Sequence, residues 1–250
     1  MGGFAKPEKN EVLQYLMQQD ADVVCLQEVD VYKNAEFLTL PDVKRTLSKK
    51  YPYSYIDFSV YNKRHQYGTM VWSKYPLINK QSIHYETMGN LSNRCDIVVG
   101  TDTFRLINNH LESYKFTSED IKEIESIRDY KGIRATLKRL KAKWDRALPL
   151  RNNQAKVVRQ EIDVSPYPVI VVGDFNSPAW SFAYRHIAEN LLDAWNETHY
   201  FWETGVTCEK RGWGIRIDYI LCSPSLQPVS SEVIQTTGSD HRPVVATLTW

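Results

Sequence analysis

Apolar positions along this chain fall into two patterns. In PEKNEVLQYLMQQDAD, Val12, Leu13, Leu16 and Met17 recur at helical spacing, and Pro7 suits a first turn. Elsewhere the apolar residues come in runs too short for a helix. Val23 to Leu26 in DVVCLQEVD predicts a buried strand ending at Gln27-Glu28. SYIDFSVY and YGTMVWSKYPL predict two further strands, the second closed by Pro76. RCDIVVG and FRLINNHL flank Gly100-Thr101-Asp102, a hairpin turn. From Ser118 to about Glu161 the pattern turns charged and helical. PVIVVGDFNS is an apolar strand with a polar end, WSFAYRHIAENLL a helix, and IRIDYILCS and DHRPVVATLTW are the closing strands.

Strands outnumber helices, yet helices recur between them. That order predicts an α/β or α+β fold in a single domain over 1–250, with sheets in the middle and helices outside. No internal repeat or low-complexity linker divides it. Residues 115–160 read as a helical, basic insertion, dense in Lys131, Arg134, Lys138, Arg139, Lys141, Lys143, Arg146 and Arg151. A solvated helical face is the default reading of such a run. A phosphate-facing cover over a cleft is the functional alternative.

Composition narrows the field only at its edges. The chain has 250 residues, 42% of them hydrophobic, which suffices for a full core. Its net charge of +1 gives no global footprint for nucleic acid or an anionic membrane, and leaves a local basic patch open. No stretch reaches the ~20 apolar residues of a membrane span. MGGFAKPEKNE lacks the apolar centre of a signal peptide, so the chain as given reads as a soluble domain. The four cysteines, Cys25, Cys95, Cys208 and Cys222, are far apart and form no C-x-x-C pair, so free thiols are expected rather than a zinc site.

The candidate chemistry lies where apolar strands stop. Glu28 follows VVCLQ, and His110 follows RLINN. Asp174 and Asn176 follow VIVVG, Asp218 precedes YILC, and Asp240-His241 precedes RPVVATL. Each alone reads as a turn or cap residue. Together they form a set of Asp, Glu, Asn and His at positions that a sheet gathers along one edge. Oxygen donors of this kind suit a hard cation such as Mg²⁺ or Mn²⁺. Histidines beside carboxylates suit proton transfer near neutral pH. The combination points to metal-assisted hydrolysis of a phosphate ester.

The ordered blocks CLQEV, YGTMVWSKYP, NHLES, VIVVGDFNS, RIDYIL and SDHRPV, spread from about residue 10 to residue 250, resemble the endonuclease/exonuclease/phosphatase superfamily, the DNase I-like phosphoesterases. The resemblance implies a four-layer sandwich: two mixed β-sheets packed face to face, with helices on both outer faces. It implies Mg²⁺ or Mn²⁺ as cofactor, Glu28 as principal metal ligand and Asp240 as a second carboxylate near the metal. Asp174 matches the carboxylate that orients or deprotonates the attacking water, and Asn176 the amide on the scissile phosphate. His241 matches the histidine on the phosphate, Asp218 its carboxylate partner, and His110 the second histidine of DNase-like and sphingomyelinase-like members. Between His241 and Asp174 the base is left open. Arg94 in SNRCDIV resembles a phosphate-contacting arginine of some members, with a plain surface strand as the alternative. Tyr67, before Gly68, is expected either to line the site or simply to pack.

The resemblance departs at the start of the chain. Family members usually open with a strand ending in an Asn near the metal, and here the first helix follows MGGFAKPEKNE almost at once. Asn10 lies in the start of that helix and does not replace it. The expectation is a domain lacking the usual first strand, truncated or started at an internal Met. A membrane-associated or exported parent is compatible with such trimming. The substrate stays open among nucleic acid, a lipid-linked phosphodiester and a smaller ester. The segment GDFNSPAWSFAYRHIAENLLDAW is more similar to bacterial members than to the apurinic endonucleases or 5-phosphatases. A catalytically impaired phosphate-binding module is the reading from another class, and the full set of ligand positions argues against it.

Overall fold

The short apolar runs fold as β1 (Val23–Tyr32), β2 (Tyr53–Tyr61), β3 (His65–Ser73), β4 (Leu77–Ile83), β5 (Ser92–Val99), β6 (Asp102–His110), β7 (Val169–Asp174), β8 (Leu192–Asp193), β9 (Cys208–Lys210), β10 (Trp213–Ile215), β11 (Asp218–Cys222), β12 (Gln227–Val233) and β13 (Val244–Thr249). The helices are α1 (Glu11–Gln18), α2 (Leu40–Leu47), α3 (Tyr130–Asp163), α4 (Phe182–Ile187) and α5 (Ala194–Thr198). This computed structural model describes residues 6–87, 89–115, 130–210, 213–235 and 238–250. The first part of the expected insertion, residues 116–129, lies outside them, as do the side chains of Lys131, Arg134, Lys138 and Arg139.

Strands β1-β3-β2 form a three-stranded sheet, antiparallel throughout. Strands β4-β5-β6-β7-β11-β8 form a six-stranded mixed sheet, in which β6 and β7 run parallel. The pairs β9–β10 and β12–β13 stand as separate two-stranded ribbons.

Three apolar layers hold the sandwich. Leu13 and Leu16 of α1 and Val43 and Leu47 of α2 cover Val29, Val31, Met70 and Trp72 on the outer face of the small sheet. Ala155, Val158 and Ile162 of α3, with Ala183, Tyr184 and Ile187 of α4, cover Ile107, Val169, Val171, Tyr219 and Leu221 on the outer face of the large one. Between the sheets pack Val71, Leu77, Cys95, Ile97, Leu106 and Val172, with Val23, Cys25 and Ile220 at the margin. Helix, sheet, sheet, helix is the expected four-layer order. Among the described residues no helix is long and apolar enough to cross a membrane. All four cysteines are free thiols, and Cys95, Cys208 and Cys222 are buried.

Asn10 caps α1, its Oδ1 accepting from Leu13 N at 3.0 Å, which confirms its place at the helix start. The strand read as ending at Gln27-Glu28 instead runs on to Tyr32. The register between β1 and β3 slips between Leu26 and Val29, and Glu28 sits in the slip at φ +54°. This β-bulge resets the alternation of side chains. Before it, Cys25 and Gln27 face the inter-sheet layer and Val24 faces the helices; after it, Val29 and Val31 face the helices. Glu28 and Asp30 therefore share the inner face.

Candidate active site

The inner face of the large sheet changes character along its strands. On β6 it reads Leu106, Asn108, His110, and on β7 Ile170, Val172, Asp174. The amide of Asn108 marks the transition: it accepts from Gln27 Nε2 at 2.6 Å, while Asn93 Nδ2 donates to Thr69 Oγ1 at 2.8 Å. These polar groups bond across the gap between the sheets. Beyond them lie the ionisable groups.

Strand register puts three of these groups in one row. His110 pairs with Asp174 across the parallel β6–β7 ladder, and Asp174 pairs with Asp218 across the antiparallel β7–β11 ladder. All three occupy the same alternation class, so their side chains leave one face of the sheet. His241 joins from the loop before β13: its Nδ1 lies 2.9 Å from Asp218 Oδ2. Ligand atoms of Asp174, Asp218 and His241 lie within 4.8 Å of one another.

Gly173 makes the row possible. Its φ is +120°, and a Cβ there would meet the Asn109 carbonyl oxygen at 2.1 Å. Only glycine tolerates both demands. Beyond it, Asn176 at φ +49° turns the chain back so that its N–H donates to Asp174 Oδ1 at 2.7 Å. Its Nδ2 donates to Asp174 Oδ2 at 3.1 Å and to the Leu111 carbonyl at 2.9 Å. The amide expected on the scissile phosphate thus has its donors engaged in fixing Asp174.

The electrostatics divide the set. Asp174 is buried, and burial first, then the charge of Asp218, push its carboxyl above the ordinary range. For His241, burial alone would lower the imidazole. Hydrogen bonds to Asp218 and Cys208, and the charges of Asp218 and Asp174, overcome that and raise it to about 12. Glu28 behaves oppositely to Asp174. Contact with His110 leads, against opposing burial, and the Tyr67 hydroxyl adds to it, holding the Glu28 carboxyl down at about 2. Glu28 Oε1 lies 3.2 Å from His110 Nε2, at ion-pair distance though without good hydrogen-bond geometry. The Glu28 side chain is 57% exposed, whereas that of His110 is 4% exposed.

Tyr67 packs beside His110 and Glu28. Its ring meets His110 edge-on at 6.4 Å, and burial followed by the charge and hydrogen bond of Glu28 raise its phenol. Asp240 is exposed, next to His241. Arg94 is not brought to the row. It lies on the other alternation class of β5 from Asn93, 2.7 Å from Glu161 of α3, with Gln81 also accepting from it. An arginine committed to that ion pair on the helix side corrects its reading as a phosphate contact.

Several supporting residues were missed in the sequence. Thr207 Oγ1 accepts from Ile217 N and Asp218 N at 3.0 and 3.1 Å, and Cys208 bridges to His241. Arg151, read as part of a solvated basic run, is fully buried. Its Nε donates to the Glu112 carbonyl at 2.7 Å and its Nη1 to Ser177 Oγ at 3.0 Å. Its guanidinium lies 4.0 Å from the Tyr114 ring centre. It ties the segment after His110 to the segment after Asn176. Only the GDFNS motif hinted at Ser177, and nothing local marked Arg151.

Residues 2–241 match the family described as Endonuclease/Exonuclease/phosphatase family. No curated protein matches the chain. Among solved structures, an endonuclease/exonuclease/phosphatase from Beutenbergia cavernae is similar at 17% identity and TM-score 0.69. That match covers 98% of this chain, which spans only 66% of that structure's length. TDP2 from C. elegans is 21% identical at TM-score 0.65, covering 95% of this chain and 68% of that one. A mannosyl-6-phosphatase from Bacteroides thetaiotaomicron is 16% identical at TM-score 0.64, covering 96% and 89%. At these identities the likeness establishes the fold.

Proposed function

We propose, from the premise that this chain belongs to the endonuclease/exonuclease/phosphatase family, that it is a divalent-metal-dependent phosphoesterase. It hydrolyses a phosphodiester or phosphomonoester by in-line attack of an activated water. Members of the family are typically hydrolases of phosphate esters and generally depend on a divalent metal. The observation that carries the reading is the row His110–Asp174–Asp218, closed by His241.

The donor chemistry fits a hard cation. Glu28 offers an ionised, half-exposed carboxylate, and Asp174 and Asp218 add carboxyl oxygens on the facing sheet. Glu28 and Asp240 are assigned to hold the ion. When bound, it supplies charge for the phosphate oxygens and acidifies a water.

The remaining roles follow from the protonation pattern. Asp218 holds His241 as a cation, which suits it to donate to a phosphate oxygen and not to act as base. Asp174, raised by burial and held by Asn176, accepts the proton of the attacking water. A group whose affinity for a proton lies nearer neutrality serves better as a base. His110 and Tyr67 orient Glu28.

The test is hydrolysis of bis-p-nitrophenyl phosphate and p-nitrophenyl phosphate with Mg²⁺, Mn²⁺ or EDTA, wild type beside His241→Ala. Metal-dependent turnover that falls by roughly 100-fold or more in the variant is expected. Turnover unchanged by EDTA, or by the variant, would overturn the proposal. The preferred ester separates a diesterase from a phosphatase.

A further inference from the structure

Two residues beyond Glu28, on the same inner face of β1, Asp30 holds another histidine. His65 Nδ1 lies 2.6 Å from Asp30 Oδ1, and Tyr32 OH donates to Asp30 Oδ2 at 3.0 Å. The Tyr32 ring stacks on the imidazole, centroids 5.8 Å apart. Both carboxylate oxygens are thereby engaged and the ring is fixed. His65 Nε2 has no partner among the described residues, on a side chain 31% exposed. The arrangement repeats that of Asp218 and His241, a carboxylate on Nδ1 that orients the other ring nitrogen.

This pair is continuous with the catalytic row. The charge of Asp30 reaches Tyr67, whose hydroxyl holds Glu28. His65 precedes Tyr67 by two residues on β3, one same-face step of ~6.6 Å. Its surroundings are basic. Asn62 Oδ1 accepts from Arg64 N and His65 N at 2.8 and 3.0 Å, and Lys33 N donates to the Arg64 carbonyl at 3.0 Å. That turn gathers Lys33, Lys63 and Arg64, none of which pairs with a carboxylate among the described residues. Lys33 Nζ instead lies 4.3 Å from the Tyr61 ring centre. Glu36, the nearby acid, bonds Asn34. On a chain of net charge +1 this is a local positive rim with an oriented donor at its inner edge.

We propose that His65, oriented by Asp30 and backed by Arg64 and Lys33, forms a second anion subsite that takes a further phosphate of the substrate. The proposal rests on the phosphoesterase reading and specifies the substrate class: an ester carrying a second phosphate on the far side of Tyr67 from the one cleaved. With Asp30 on Nδ1 and the phosphate on Nε2, the ring would bridge the two acceptors through its two N–H groups. Bound phosphate and Asp30 thus share a proton-bearing ring between them, and Arg64 and Lys33 add charge at the rim.

The experiment compares kcat/KM with Mg²⁺ for the dinucleotides TpT, pTpT and TpTp, and for fructose 6-phosphate against fructose 1,6-bisphosphate. In the wild type, the added phosphate is expected to raise kcat/KM about tenfold in one series, as for one charge-assisted hydrogen bond. His65→Gln should bring that ratio near one, and Arg64→Gln, an exposed change without folding risk, should reduce it several-fold. A response in the dinucleotides identifies a nucleic-acid strand as the source of the second phosphate, and a response in the sugars a compact bisphosphate. Ratios near one in the wild type, or ratios that neither variant moves, overturn the subsite while the phosphoesterase stands. If the wild type turns over none of these esters and neither p-nitrophenyl ester, it is the phosphoesterase reading that fails. Calorimetric titration with inorganic pyrophosphate in EDTA then reads the subsite alone. Affinity about tenfold weaker in His65→Gln supports it, and equal affinity overturns it.

Discussion

Asp174 and Asp218 face each other as cross-strand partners at the end of the β7–β11 ladder, and they are held by opposite means. Asp218 binds the His241 ring at 2.9 Å, whereas Asp174 accepts from the backbone and side chain of Asn176. Two carboxylates so placed cannot share one environment, and the fold resolves the conflict by giving one a cation and burying the other.

Replacing Asp218 by Asn should therefore act through His241. Its imidazole loses the hydrogen bond and charge that outweigh burial, so it should titrate near or below the ordinary ~6.5 instead of staying cationic. Turnover of bis-p-nitrophenyl phosphate should fall roughly 100- to 1,000-fold. Proton NMR titration of the histidine signals, beside steady-state rates, checks both. A His241 that remains cationic in the variant would refute the argument.

Asp174→Asn should abolish turnover and yet stabilise the metal-free fold at alkaline pH. A carboxyl raised in the folded state favours folding while protonated, and that contribution is lost as pH climbs from the ordinary ~3.9 through the raised value. The variant should outlast wild type at pH 8 in EDTA, and the gap should close toward pH 4. Each kcal/mol relieved corresponds to about 2–4 °C in a chain of this size. Thermal unfolding at the two pH values decides it.

Gly173→Ala should be severe and Gly100→Ala mild. At Gly173 the new Cβ meets the Asn109 carbonyl oxygen at 2.1 Å and the φ is +120°. At Gly100 the φ is +60°, with nothing within 4 Å of the added atom. Costs of roughly 2–4 kcal/mol and about 1 kcal/mol follow. Denaturant unfolding measures both, and activity should fail first in Gly173→Ala because Asp174 adjoins it.

Arg151→Met should lower kcat even in molecules that remain folded. It removes the tie between the Glu112 carbonyl and Ser177 Oγ and leaves both acceptors buried. A stability loss of about 3 kcal/mol is expected. Circular dichroism with kinetics on the folded fraction separates the two effects.

Arg94→Ala should leave kcat/KM within about twofold and cost roughly 1 kcal/mol of stability, because its partner is Glu161 on α3 and not a substrate. A loss near 100-fold in rate would restore it to the site.

The sequence by itself determined most of the long strands and the polar residues near their ends, but neither β4 nor β12 was legible in it. Apolar runs such as Val169 to Val172 bury on both faces, and the first polar residue after Gly173 must emerge at an edge. His110, Asp174, Asp218 and His241 were legible for that reason, and the block order carried the four-layer fold with them; Glu28 was read as a strand end too, although its strand runs on to Tyr32. Tertiary structure alone decided which face each side chain takes. One slipped residue between Leu26 and Val29 moves Glu28 and Asp30 to the inner face, and no periodicity marks that slip in advance. Parity likewise sends Arg94 to the helix side while its neighbour Asn93 bonds Thr69 between the sheets. Arg151 looked like one more solvated cation because charge patterns record composition, whereas burial depends on what the helix is packed against. Its partners Glu112 and Ser177 lie 39 and 26 residues away in the chain, and only folding brings them to it.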